Sequence, residues 1–457
     1  MRLPVACLFA LSLSAPLSVA QAADPFAVLP PMPECSAAAD LSALTLGDVA
    51  RIALCRNPQA RETLAAIRVQ AAAQGVAQAA YLPSLSANLS AGRSVAAGRS
   101  NDTAAASLSL SWLLLDFGAR RAQLEQAKAL LAAVGASGES TTQGLLLAAV
   151  QSFQQLQSAQ ALRRSTQMAE QAAASTLAAA RLRYQLGAVT PADSLQSETA
   201  LAQAQLARIR AEGDEKIALG NLAALLGLAA TTPLALAPQP LPQPPEDFGT
   251  QIEPLIALAE ERRPDLRAAA AELKAAEAAL AATAVADRPT LALSAQAGEQ
   301  RPRGGPVSRT QSASLNLTLP IFDGFAPTYR IAQAEAQRDA KAERLARIEQ
   351  QVALDVWSQY QNLRTASQSL HTANRLVVSS RAAEAMARGR YEAGVGSLLD
   401  LLNAQSALAS AEQQQIQFAY GWSSARAALA QAVGALDAAL LQSLPIAASI
   451  PSVGEKP

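Results

Sequence analysis

From Pro83 the chain alternates, with Leu85, Ala87, Leu89 and Ala91 on one face and Ser84, Ser86, Asn88 and Ser90 on the other. A period of two marks a β-strand whose faces meet different surroundings. The same pattern returns three times. Leu108, Leu110, Trp112 and Leu114 oppose Ser107, Ser109 and Ser111, and Leu291, Leu293 and Ala295 form a third row. Ala313, Leu315, Leu317 and Leu319 oppose Ser312, Ser314, Asn316 and Thr318. Strands are therefore expected at about 83–92, 106–116, 289–298 and 311–321. Their length and alternation suit strands that cross an outer membrane beside a watery lumen. Alternation alone leaves a soluble sandwich edge, packed on helices, as an equal reading.

The rest is helical in pattern, rich in Ala, Leu, Gln, Arg and Glu with few breakers, at about 118–185, 191–228, 326–392 and 398–433. A helix of roughly 68 residues rises about 100 Å and must pack lengthwise against neighbours, as in extended bundles or coiled coils. A coiled-coil rod or adhesin stalk is the competing structural reading. Such a stalk has no use for lipid-type hairpins at matching points of two repeats.

The repeats are visible as a constant offset. Pro58 answers to Pro264 and Pro83 to Pro289 at 206, while Asp116–Asp323, Phe153–Tyr360, Tyr184–Tyr391, Gly187–Gly394, Asp193–Asp400 and Gly227–Gly434 keep 207. One whole structural unit is duplicated, rather than a short solenoid repeat. The first copy is placed at 23–240 and the second at 241–436, with a tail at 437–457 and a proline-rich connector from Thr232 to Pro245.

The start changes the setting. Arg2, the apolar run Leu3 to Val19 and Ala20-Gln21-Ala22 read as a signal peptide, 1–22; as a membrane anchor the run is short and interrupted by Pro4 and Pro16. Beyond it no stretch of about 18 uninterrupted apolar residues occurs, so any membrane crossing uses strands. The 37 basic and 37 acidic residues create no global field, which argues against a nucleic-acid partner. Cys7 leaves with the signal, and the remaining pair, Cys35 and Cys55, is expected to form a disulfide. Two free thiols or a partial metal site are the alternatives, although the one histidine, His371, lies far away in sequence. No catalytic pair, phosphate loop or metal spacing is present, so no enzyme activity, cofactor or metal is expected. Four strands cannot close alone, because an open edge in hydrocarbon costs several kcal/mol per unpaired backbone group. At least two subunits are required, and three would supply twelve strands.

The order is a helical pair, a hairpin ending in Leu115-Asp116-Phe117-Gly118, a long helix, a Tyr-x-x-Gly turn, a returning helix and Leu-Leu-Gly. It repeats with Phe322-Asp323-Gly324-Phe325 and Tyr391-Glu392-Ala393-Gly394. This order resembles the TolC family of outer-membrane efflux proteins. The resemblance implies a mixed α and β membrane protein, a homotrimer with four transmembrane strands per chain in a 12-stranded barrel. It also implies a long periplasmic α-helical barrel and a small equatorial region. Such a protein is a passive exit duct, working with a periplasmic adaptor protein and an ATP-driven or proton-driven inner-membrane transporter, in efflux of drugs or metals or in type I protein secretion.

Site residues follow from the same resemblance. Asp400 matches an aspartate ring at the periplasmic entrance, and Asn403 stands where the family has a second aspartate. Asp193 and Tyr391 match a lock that holds the closed tip, whereas Gly396 and Ala419 stand where the family carries arginines. Gly187 and Gly394 mark the helix-tip turns expected to meet the adaptor. Asp193 also reads as a cap of the helix begun by Pro191. Trp112, Phe117, Phe322 and Phe325 suit a membrane interface or simple packing where strand becomes helix. Arg93, Arg99, Arg301, Arg303 and Arg309 are expected in loops at 92–105 and 298–311, either against lipid phosphates or as solvated charge.

Overall fold

A computed structural model describes residues 26–27, 41–96, 99–244 and 251–436. The expected signal peptide, Cys35 and the C-terminal tail lie outside the described residues. The element order is written twice: α1 (Leu46–Arg56), α2 (Pro58–Ala79), β1 (Ser84–Ala96), β2 (Arg99–Leu115), α3 (Ala119–Gln185) and α4 (Pro191–Leu225). Then come α5 (Glu253–Arg262), α6 (Pro264–Val285), β3 (Thr290–Pro302), β4 (Ser308–Thr318), α7 (Ala326–Glu392) and α8 (Leu398–Ala432). Contacts divide the chain into two compact units, one holding the strands and one holding most of the helices.

In the first unit the strands form one antiparallel sheet in the order β1-β2-β3-β4. Its register carries Leu85 to Leu110, Leu110 to Ala295 and Ala295 to Ala313, so the apolar rows of all four strands share one face. The opposite face is held by hydroxyls and amides. Ser86 and Ser109 meet at 2.8 Å, Ser294 and Ser314 at 2.7 Å, and Asn316 Nδ2 donates to Ser294 Oγ at 2.9 Å.

The strands differ from the sequence expectation at both ends. The segments expected as loops at 92–105 and 298–311 are mostly strand, leaving the second hairpin a short turn around Gly304. Pairing continues through Arg93↔Asp102 and Glu299↔Arg309, where opposite charges replace the apolar partners and hide the period of two. At the other end β4 stops at Thr318, before Pro320, which has no N–H to give to a ladder.

Where β2 becomes α3 a buried ion pair fixes the turn. Asp116 accepts from the Arg120 backbone N–H at 2.8 Å and from its Nε at 2.9 Å, and Arg120 Nη1 donates to the Leu113 carbonyl at 2.7 Å. The guanidinium also lies 5.0 Å over the Tyr81 ring. Phe117 takes a left-handed backbone conformation at this corner (φ 51°), as does Phe325 in the second copy (φ 62°).

In the helical unit, two related cores repeat the duplication. Val49, Ile52, Phe153, Leu156, Leu222 and Leu226 pack in one, and Leu255, Val352, Val356, Leu363, Trp422 and Leu429 in the other. A parallel bridge between Leu44 and Leu236 ties the connector between the halves to the segment before α1. Thr45 starts α1 with a reciprocal capping box to Asp48. Cys55, on the same helix, is disulfide-bonded.

Each short helix ends in an elbow built from a different residue in the two copies. Asn57 Nδ2 donates to the Leu225 carbonyl at the end of α4 at 2.9 Å, and Arg263 Nη1 reaches the Ala432 carbonyl at the end of α8 at 3.4 Å. Arg263 also pairs with Asp265 at 2.6 Å and Asp355 at 3.3 Å. Partial burial alone would raise the Asp265 carboxyl, but hydrogen bonding and attraction to Arg263 hold it below its ordinary value.

Candidate functional site

The two helical hairpins reverse at matching turns, and the chemistry that distinguishes them is gathered there. Gly187 (φ 72°) and Gly394 (φ 77°) both adopt the left-handed conformation that closes a helix end, as glycine does without steric cost. Pro191 opens α4, and Ser397 caps α8 by accepting from the Asp400 N–H at 3.1 Å. Thr190 makes no side-chain cap at the corresponding position of α4.

Asp400 and Asn403 stand one turn apart on the exposed face of α8, while Leu398 and Leu401 turn inward against Tyr391. A carboxylate and an amide are thus presented to solvent in register. Asp193 is half-buried and, with Gln196 and Tyr391, lines a cavity of about 580 Å³ between the hairpin tips. The structure brings Asp193 and Tyr391 to one cavity without joining them. The Tyr391 hydroxyl is buried and makes no hydrogen bond among the described residues.

What holds Tyr391 instead is Arg183, at the end of α3. Its guanidinium lies 4.2 Å from the Tyr391 ring centroid and its Nη2 donates to the carbonyls of Tyr391 at 2.8 Å and Glu392 at 3.1 Å. Those carbonyls close α7, where the helix dipole favours a cation. Arg183 therefore ties the first hairpin to the second. It was not among the residues singled out from the sequence. Its trace there is the Arg-Tyr pair that precedes the turn glycine in both copies, Arg183-Tyr184 and Arg390-Tyr391.

The two positions where the resembled family carries arginines are tightly packed here. A Cβ at Gly396 would lie 2.9 Å from Arg390 Cβ and 3.0 Å from the Tyr391 nitrogen. Ala419 is fully buried in the second helical core. His371 is exposed on α7. Among the described residues no group of His, Cys, Asp and Glu is placed to hold a metal ion.

At the strand ends, Trp112 donates from Nε1 to the Tyr81 carbonyl at 3.0 Å, leaving part of its ring exposed. Phe322 and Phe325 meet edge to face with centroids 5.6 Å apart, and both are exposed, as is Phe117. All four aromatics are thus at least partly exposed in the single chain.

A sequence profile of the outer membrane efflux protein family matches residues 49–228 and 255–435, the two copies in turn. The chain belongs to the outer membrane efflux protein family. Among its relatives, Protein CyaE of Bordetella pertussis is 36% identical over 412 residues, covering 87% of this chain and 85% of that protein. A probable efflux pump outer membrane protein, TtgC of Pseudomonas putida, is 26% identical over 68% of this chain and 65% of its own length. In fold, the chain is similar to the outer-membrane channel OprN, with a TM-score of 0.75 over 85% of this chain and 90% of that one at 23% identity. This efflux-family protein is accordingly an outer-membrane transport channel. No helix among its described residues is long and apolar enough to cross a membrane.

Proposed function

We propose that three copies of this chain close their sheets into one twelve-stranded barrel and their helices into a periplasmic tunnel, forming a passive exit duct. The observation that carries this reading is the sheet itself. It has an apolar face, a hydroxyl-lined face and two unpaired edges, β1 and β4. In hydrocarbon those edges must be paired, and a neighbouring copy offers the complementary edge. The apolar face then meets lipid and the hydroxyl face meets the aqueous lumen.

Residues 1–22 would be removed on export, Cys35 would be the partner of Cys55, and the 437–457 tail would join the connector in an equatorial belt. A periplasmic adaptor would meet the hairpin tips near Gly187 and Gly394, and an inner-membrane transporter would supply the energy. The cargo is a drug-like efflux substrate or a secreted protein, and the transporter that docks decides between them. No reacting group is required of a duct.

At the entrance, three symmetry-related Asp400 carboxylates would form one ring of negative charge, with Asn403 forming an uncharged ring one turn away. Asp400→Ala in a reconstituted trimer is expected to lower the cation-over-anion permeability ratio severalfold, read from the reversal potential in a salt gradient. An unchanged ratio would remove Asp400 from the ring. Asn403→Asp is expected to raise the ratio.

A further inference from the structure

The apolar face of the sheet changes character at the hairpin end. Towards the hairpin end the same face carries Arg93, Asp102, Glu299, Arg301 and Arg309, with Arg303 beside Asp102 at the turn; Glu299 and Arg309 share a row with Leu89 and Ala106, and Arg301 shares one with Ala91 and Ala104. Asp102 lies between Arg93 (Nη2 to Oδ2, 2.8 Å) and Arg303 (Nη1 to Oδ2, 3.1 Å). Glu299 lies between Arg301 (Nη2 to Oε1, 3.0 Å) and Arg309 (Nε to Oε2, 3.1 Å). Four arginines against two carboxylates leave two positive charges in excess on each chain.

The arrangement is not self-contained neutralisation. Each guanidinium offers five N–H donors, and these contacts use one or two of them. All four arginine side chains remain more than half exposed. The carboxylates act as spacers that hold the forks side by side. Charged groups on a lipid-facing surface are tolerated only at headgroup level, so in the proposed barrel this cluster would mark where hydrocarbon ends. A planar fork with free donors, a surplus of positive charge and a position at headgroup depth together fit the oxygens of a phosphate group.

We propose that this cluster binds the phosphorylated headgroups of outer-leaflet lipid, with phosphates of a saccharide lipid clamped between the outward N–H groups of neighbouring arginines. The inference rests on the barrel reading above, which turns this face toward lipid.

The test uses the full-length trimer in uncharged detergent, offered a diphosphorylated glucosamine-disaccharide lipid or the same lipid with its phosphates removed. Bound lipid is counted by native mass spectrometry. The wild type is expected to retain the phosphorylated lipid at least tenfold over the dephosphorylated one, and the combined R93Q, R301Q, R303Q and R309Q variant to lose that preference. Should that variant fail to assemble, the corresponding lysine variant, which keeps charge but not the fork, decides instead with a severalfold loss. Equal retention of the two lipids, or a preference untouched by the substitutions, overturns the proposal. Complete displacement of the lipid by millimolar inorganic phosphate would also overturn it, since the site would then be one for free phosphate. Channel steps in a planar bilayer without lipid preference overturn this inference alone, whereas a chain that forms no channel removes the barrel reading with it.

Discussion

Arg183 holds the Tyr391 ring and two terminal carbonyls of α7, and so joins the two hairpins at their tips. Hydrogen bonds from a charged donor are each worth about 1.5–3 kcal/mol, less where solvent reaches them, as it partly does here. Loss of about 2 kcal/mol shifts a two-state equilibrium roughly thirtyfold. Arg183→Ala is therefore expected to raise the open fraction of the proposed duct by that order in single-channel records, while Tyr391→Phe, whose hydroxyl has no hydrogen-bond partner among the described residues, leaves it nearly unchanged. A second residue-scale prediction concerns acid. The Asp265 carboxyl is lowered in the folded state, so its stabilisation is complete above the ordinary aspartate value of about 3.9 and is lost as pH falls through the lowered one. Asp265→Asn should lower the melting temperature at pH 7 and narrow its gap from wild type as pH falls below about 4. Equal gaps at pH 7 and pH 3 would show that the charge contributes nothing. The sequence pointed to Asp193, Tyr391 and Asp400 through the family pattern, but Arg183 was not legible, because its partners are backbone carbonyls and a ring more than two hundred positions away.

At the scale of the element, the long helices were legible nearly to the residue: α3 ends at Gln185 and α7 at Glu392, where the Gly turns interrupt a high-propensity run. The strands were legible only where the alternation is apolar against hydroxyl. Through Arg93, Asp102 and Glu299 the alternation continues in charge, and a hydrophobic period cannot register it. The elbows were the other blind spot, since Asn57 and Arg263 reach equivalent carbonyls with unlike side chains. The glycine after α4 serves this elbow. Gly227 has φ 68°, and a Cβ there would stand 2.7 Å from the Arg56 carbonyl oxygen. Gly227→Ala is expected to cost at least about 2 kcal/mol in thermal unfolding, from left-handed strain plus the clash. An alanine that melted like the wild type would mean that the elbow yields freely.

For the whole molecule, the duplication explains why one chain brings two hairpins to a single sheet, and the open edges of that sheet are what the proposed assembly of three chains would pair. Hydrophobic patterning marks the strands but not a number of copies, since closure of a barrel is a property of an assembly and no residue encodes it alone. The apolar face, exposed at Leu85, Leu89, Leu315 and Leu317 in the single chain, is expected to be covered by lipid, and the edges by neighbours. The most direct measurement is single-channel recording of the purified protein, never heated, in a planar bilayer, with its mass determined in parallel. A trimeric duct gives discrete conductance steps from a species of three chains; a monomer, or a trimeric rod that leaves the bilayer silent, would contradict the proposed channel.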